Sequence, residues 1–279
     1  MPGLDMRVTA AVFLLMLAPL AAAAQTTTIT ISNSACTSPP APADVAAPAT
    51  PSIAAGNAAA RNRDFALARA NFLALAEKGD PDAERAMGQL LMQNCTGLQN
   101  KTAAVDWLTK AAATGNVPAE DQLGRAYMSG FGVAQDDAKA FVLFSQAAAT
   151  ADPVAQMELG YLYLSGRGVA QDRYQGLQWT VKAAEQGNAV ALGNIAQAYN
   201  KGQILERDTD RAAYFLALAN QRATIAQRND LMGIAEEIRQ AVSVDDLDHA
   251  SKRAQRWTPG PGSLRDVLSD ADDFRKHKR

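Results

Sequence analysis

Few residues in this sequence have the type and spacing to do chemistry. The two histidines are His249 and His277. Neither stands in a Cys/His/carboxylate set with metal-ligand or triad spacing, so neither a zinc site nor a His-based triad is expected. Cys36 and Cys95 lie 59 positions apart, which is no metal-binding spacing. Two glycine pairs, Gly130-Phe131-Gly132 and Gly166-Arg167-Gly168, look at first like phosphate cradles. A phosphate-binding glycine loop must follow a strand and open a helix. These loops are flanked by helical patterns on both sides and recur at a fixed interval, which makes them structural turns. No catalytic residue, cofactor-binding residue or metal ligand is nominated. A formal net charge of −2 gives no electrostatic reason to expect nucleic acid as a partner.

The interval itself is the strongest signal in the chain. Leu91, Tyr127, Tyr163 and Tyr199 are each 36 apart, as are Gly88, Gly124, Gly160 and Ala196. Gly79, Gly115, Ala151 and Gly187 keep the same step, and so do Asp136, Asp172 and Asp208. Ala68, Ala104, Ala140, Gly176 and Ala212 mark five unit starts. A fixed period of this size signals stacked helix pairs. In the third unit Asp136 is the expected N-cap of a helix A through AKAFVLFSQAAA. TADP breaks that helix, and Pro153 suits the first turn of a helix B through VAQMELGYLYLS. Gly166 stops helix B, because glycine tolerates the left-handed conformation on which helices end.

Glycine inside helix B costs about 1 kcal/mol relative to alanine, so Gly124 and Gly160 must let a neighbouring helix approach. The alanines at 111, 112, 147, 148, 183 and 184 are the expected partners. Trp107, Trp179 and Phe215, with Leu143, share one repeat position and are expected to pack between units.

The unit beginning at Ala104 carries Trp107, Ala111, Ala112, Gly115, Ala119, Leu123, Gly124, Tyr127, Gly130, Gly132, Val133 and Asp136. This pattern resembles the Sel-one-like repeat, a relative of the tetratricopeptide repeat, over about residues 64–220. The resemblance implies an all-α fold: an α-solenoid of stacked 36-residue helix–turn–helix repeats, a superhelix with a C-terminal capping helix. It also implies a concave face, lined by helix A, that binds protein partners. A cysteine-rich subgroup of the family has been linked to penicillin binding and β-lactam hydrolysis. Here the cysteine pairs within repeats are missing, as are S-x-x-K, S-D-N and K-T-G. The first unit reads NCTGLQN and the fourth KGQILERD where the others carry G-x-G-V-x-x-D, which suggests worn terminal units.

Outside the array, residues 1–24 read as a signal peptide, with Arg7, an apolar run and Ala22-Ala23-Ala24 before a cleavage point. Asp5 is unusual there, and a start at Met6 would give a cleaner signal. No later stretch is expected to cross a membrane. Residues 25–58, rich in Pro, Ala and Thr, are expected to form a disordered linker. Residues 59–242 hold about five repeat units, 243–258 a capping helix opened by Ser243-Val244-Asp245-Asp246, and 259–279 a polar, basic tail with room for one short helix within 263–279. That tail could touch an anionic surface or be a plain solvated end. Export permits a disulfide between Cys36 and Cys95. Closing that loop of about 60 residues would stabilise the fold by about 4 kcal/mol in the chain-entropy account. Unpaired thiols and an intermolecular bridge are the alternatives. Asn94-Cys95-Thr96 and Asn100-Lys101-Thr102 fit the glycosylation pattern by chance.

What remains is a surface. On helix A the residues Asp106, Val142, Gln178 and Tyr214 occupy one repeat position; Lys110, Gln146, Lys182 and Leu218 occupy the next turn. A position that changes chemistry from unit to unit does not serve the repeat's own packing. It is either plain solvent surface or the face that reads a partner. The expected function is a periplasmic or secreted, non-enzymatic scaffold that binds a protein or peptide in the cell envelope. Such a scaffold could regulate envelope signalling or surface polysaccharide production. An envelope protein binding or hydrolysing peptidoglycan or a β-lactam is the alternative.

Overall fold

The computed structural model describes residues 46, 48–93 and 97–277. These form thirteen α-helices and no strand. In chain order they are α1 (Ile53–Arg61), α2 (Phe65–Ala76), α3 (Pro81–Met92), α4 (Lys101–Ala113), α5 (Val117–Ser129), α6 (Asp137–Ala149) and α7 (Pro153–Ser165). Then follow α8 (Arg173–Glu185), α9 (Ala189–Lys201), α10 (Thr209–Arg222), α11 (Ile225–Ala241), α12 (Val244–Ala254) and α13 (Arg265–His277). The fold is an all-α solenoid of helix–turn–helix repeats.

Two ladders of N-caps set the register. Asp64, Asn100, Asp136, Asp172 and Asp208 open the A helices, each accepting a backbone N–H of the first turn. Asp80, Asn116, Asp152, Asn188 and Thr224 do the same for the B helices. Both ladders step by 36 through five rungs. Each cap satisfies an otherwise orphaned donor, for about 1 kcal/mol. At the other end of helix B, Gly130 and Gly202 take left-handed C-cap conformations, with φ of +69° and +62°. After helix A the left-handed position is glycine at 79, 115 and 187, but alanine at 151, with φ +65°.

The interior glycines do admit a neighbour, though not the expected one. A Cβ on Gly88 would stand 2.7 Å from Leu108, and one on Gly124 would stand 2.8 Å from the Phe144 ring. On Gly160 it would meet Thr180 Oγ1 at 2.8 Å and the Gly176 carbonyl at 2.9 Å. The partners are therefore residues 108, 144 and 180, one repeat position themselves. The alanines named from sequence lie elsewhere in the interfaces, Ala111, Ala147, Ala148, Ala183 and Ala184 being fully buried. A large side chain fills the hollow above a glycine better than a methyl group does.

The chain forms two compact units. Among the described residues, one comprises those from 46 to 155 with Arg167–Val169, the other Gln156–Gly166 with those from 170 onward. In the first, Phe65, Phe72, Met87, Leu90 and Leu91 form one apolar cluster, and Val105, Leu108, Leu123 and Ala126 another. In the second, a single larger cluster runs through Leu192, Ile195, Tyr199, Phe215, Leu218, Leu231 and Ile238 to Ala250, Leu264, Val267 and Ala271.

Two boundaries differ from the sequence reading. Helix α1 starts at Ile53, capped by Ser52, inside the stretch read as linker. The capping helix α12 ends at Ala254. The short helix allowed within the polar tail runs through 265–277 and packs on the core, because Leu264, Val267 and Ala271 are spaced to bury one face. The signal segment and the Cys36–Cys95 pairing lie outside the described residues.

Candidate functional site

The glycine loops are joints. The second glycine of each pair lies against the start of the preceding helix A. A Cβ on Gly132 would stand 2.3 Å from the Lys101 carbonyl oxygen, and one on Gly168 would stand 2.1 Å from that of Asp137. The residue between the glycines clamps the same place. Lys101 Nζ sits 4.6 Å from the Phe131 ring centre. Arg167 makes a two-pronged ion pair with Asp137, at 2.9 and 2.6 Å, and donates to the Met128 carbonyl at 2.8 Å. The Phe131 and Asp136 backbone N–H groups donate to the Ala126 and Tyr127 carbonyls, which ties the loop to the helix it ends.

The variable stripe falls into two groups. Asp106, Lys110, Val142 and Gln146, in the first compact unit, are all exposed, and Val142 shows 53% of its surface. In the second unit Gln178 and Tyr214 are half-buried and Lys182 is exposed, while Leu218 is fully buried. Leu218 is therefore core, not surface, because α10 is enclosed by α9, α11 and α12. Tyr214 packs edge-on against Phe215, and the Arg253 guanidinium lies 5.1 Å from its ring centre. Burial pushes its hydroxyl pKa up. Lys110 and Lys182 fold over the tryptophan three residues earlier, at 4.1 Å from Trp107 and 3.7 Å from Trp179. Of the aromatic position shared by the units, Phe215 is core, whereas both tryptophans are half-buried and capped by a cation.

Sequence reasoning missed one polar cluster. The Tyr199 hydroxyl donates to Asp270 Oδ2 at 2.5 Å and accepts from Arg211 at 2.9 Å. Arg211 is itself ion-paired with Asp270, with Asp266 at 3.6 Å and with Asp208 at 3.5 Å. Burial and the neighbouring Asp270 carboxylate raise the Tyr199 pKa well above the ordinary tyrosine value. The signal was present as a 12-residue spacing of tyrosine and cation. Tyr127 and Lys139 share it, with Lys139 Nζ 5.1 Å from the Tyr127 ring centre and 3.4 Å from Asp136.

Buried acids occur at another repeat position. Glu84 and Glu120 are buried on helix B, and desolvation raises both carboxyl pKa values. Asp121 is raised by burial too, against the pull of its ion pair with Arg125 at 3.1 Å. Neither Glu84 nor Glu120 faces a hydroxyl or thiol nucleophile with a base beside it. His249 lines a shallow recess of about 340 Å³ with Asp210, Asp246, Lys252, Arg253 and Arg256. Among the described residues no three His, Cys, Asp or Glu side chains converge to hold a metal. No described helix is long and apolar enough to cross a membrane.

The Sel1 repeat family model matches four times in succession, at residues 81–116, 117–149, 153–188 and 189–222. These spans start at α3, α5, α7 and α9, so each takes a helix B with the helix A that follows it. The structure is similar to that of a Sel1 repeat protein from Oxalobacter formigenes, with a TM-score of 0.58 and 22% sequence identity. That similarity covers 81% of this chain and 100% of the other. A protective antigen of uropathogenic Escherichia coli strains, which displays an SLR fold, is also similar, with 22% identity and a TM-score of 0.42. There the match covers 76% of this chain and 51% of the antigen. No curated protein sequence matches this chain. The cap ladders, the glycine joints and the four consecutive matches place this chain in the Sel1 repeat family.

Proposed function

We propose that the protein is an exported, non-enzymatic scaffold that holds a protein or peptide partner in the cell envelope. Sel1 repeats are helical scaffolds suited to protein–protein interaction, and the envelope assignment is our reading of residues 1–24. The observation that carries the binding surface is the exposed group Asp106, Lys110, Val142 and Gln146 on α4 and α6. Equivalent backbone positions there present an acid against an aliphatic side chain, and a cation against an amide. Lys110 leans on the Trp107 ring, whereas Asp106, Val142 and Gln146 are exposed and their chemistry is open to a partner. In the second unit Gln178, Lys182 and Tyr214 occupy the same two repeat positions. The sequence carries no S-x-x-K, S-D-N or K-T-G motif for the peptidoglycan or β-lactam alternative.

The test is photo-crosslinking in cells. A benzophenone amino acid at Val142 or Gln146 should give one discrete adduct, lost when Asp106→Arg is added. The same adduct from a probe at the exposed Arg228 would remove this face from consideration. N-terminal sequencing of the extracted protein checks export, with Gln25 expected as the first residue. Turnover of a β-lactam or of peptidoglycan by the purified protein would overturn the non-enzymatic reading.

A further inference from the structure

Helix α13 lies over a floor that the repeat pattern does not supply. Ile204 stands where the earlier loops carry Gly132 and Gly168, and Tyr174 stands where they carry Thr102 and Ala138. Both substitutions put bulk where α13 passes. The fourth unit's lost glycine is therefore a built contact surface, not wear. Beside the floor stands the Tyr199–Arg211 pair, which grips Asp270 and, more loosely, Asp266, one helical turn apart. Its counterpart Tyr127–Lys139 keeps a cation against the ring, and Lys139 pairs with Asp136 as Arg211 pairs with Asp208. The grip on a second, incoming carboxylate is shown at Tyr199–Arg211, and Asp270 of α13 is what occupies it.

Two features mark α13 as an occupant that can leave. It is joined to α12 through Thr258-Pro259-Gly260-Pro261-Gly262, and a helix of its length is marginal in water once released. Its fit is also incomplete. A recess of about 300 Å³ remains among Arg173, Tyr174, Ile204, Ala271, Phe274 and Arg275.

We propose that α13 is an intramolecular ligand, held on a site whose partner is an acidic amphipathic helix of another protein. That helix would present two carboxylates one turn apart, as Asp266 and Asp270 do, beside aliphatic side chains in the spacing of Val267 and Ala271. Partner binding would displace α13. The proposal rests on reading the chain as a binding scaffold but uses a different surface from the Asp106–Gln146 face.

The probe is a fluorescein-labelled synthetic peptide of residues 263–277, titrated by anisotropy against the full chain. The wild-type chain should bind it weakly, because its own α13 competes. A chain carrying Asp266→Asn and Asp270→Asn should bind at least about tenfold more tightly, and adding Arg211→Gln should abolish the gain. No gain in the double variant would overturn the proposal. If that variant does not fold, amide exchange on the wild-type chain decides. Faster exchange in α13 than in α9 and α10 supports a displaceable helix, and exchange in step with them makes α13 a permanent cap. A negative result here leaves the crosslinks at Val142 and Gln146 unaffected, so the two readings fail separately.

Discussion

Replacing the two glycines of one joint by alanine should have unequal costs. At Gly130 the backbone is left-handed, but an added Cβ meets nothing closer than 3.6 Å. Gly130→Ala therefore adds only the left-handed penalty of about 1–2 kcal/mol. A stiffer unfolded chain offsets about 0.5 kcal/mol of this. At Gly132 the same penalty applies with φ +73°, and the Cβ would stand 2.3 Å from the Lys101 carbonyl oxygen and 2.6 Å from its carbon. Those are backbone atoms at the start of α4 and cannot rotate away. The loop must lift off, at an overpacking cost of about 1–3 kcal/mol more. The expected losses are about 1 kcal/mol for Gly130→Ala and about 2–4 kcal/mol for Gly132→Ala. The Gly166 and Gly168 pair should repeat the order, since the Gly168 Cβ would stand 2.1 Å from the Asp137 oxygen. Urea unfolding followed by circular dichroism reads the difference as a shift in midpoint, compared at the first transition because repeat arrays need not unfold in one step. Equal losses at Gly130 and Gly132, or a milder effect at Gly132, would refute the close-approach argument.

Two other substitutions should stabilise the protein. Ala151→Gly should raise the melting temperature, by about 0.5–1 kcal/mol of stability, because it relieves a left-handed alanine where three other units carry glycine; a fall would mean that the alanine methyl packs usefully. Glu120→Gln should stabilise the protein near pH 7 and flatten its pH dependence. Burial raises the Glu120 pKa, so its favourable contribution is complete below the unfolded-state pKa and is lost as pH rises through the raised folded-state value. Melting temperatures from pH 4 to pH 8 check this, and parallel curves for wild type and variant would contradict it.

Much of the fold was legible because it is local. The Asp136, Asp172 and Asp208 caps act within one turn of their own helix. The second ladder, Asp80 to Thr224, is as local and was overlooked in the sequence, although it keeps the same 36-residue step. The partners of Gly88 and Gly124 were not legible. Choosing between Leu108 and Ala111, or between Phe144 and Ala147, requires knowing how one helix is rotated against the next. Helix α13 was half legible. Leu264, Val267, Leu268 and Ala271 carry a helical period, but Pro/Gly punctuation before it and charge around it read as a tail. The variable stripe was found by position, yet burial at Leu218 and half-burial at Tyr214 follow from packing that period alone does not encode.

By itself the sequence determined the period, the caps, the left-handed joints and hence the family, since each of these depends on residues a few positions apart or on strict repetition. Tertiary structure alone decided which positions face water and what Tyr199 and Arg211 hold. Asp270 lies 71 residues from Tyr199 and 59 from Arg211. Neither separation is a multiple of the repeat, so only the folded chain brings that carboxylate to its receptor.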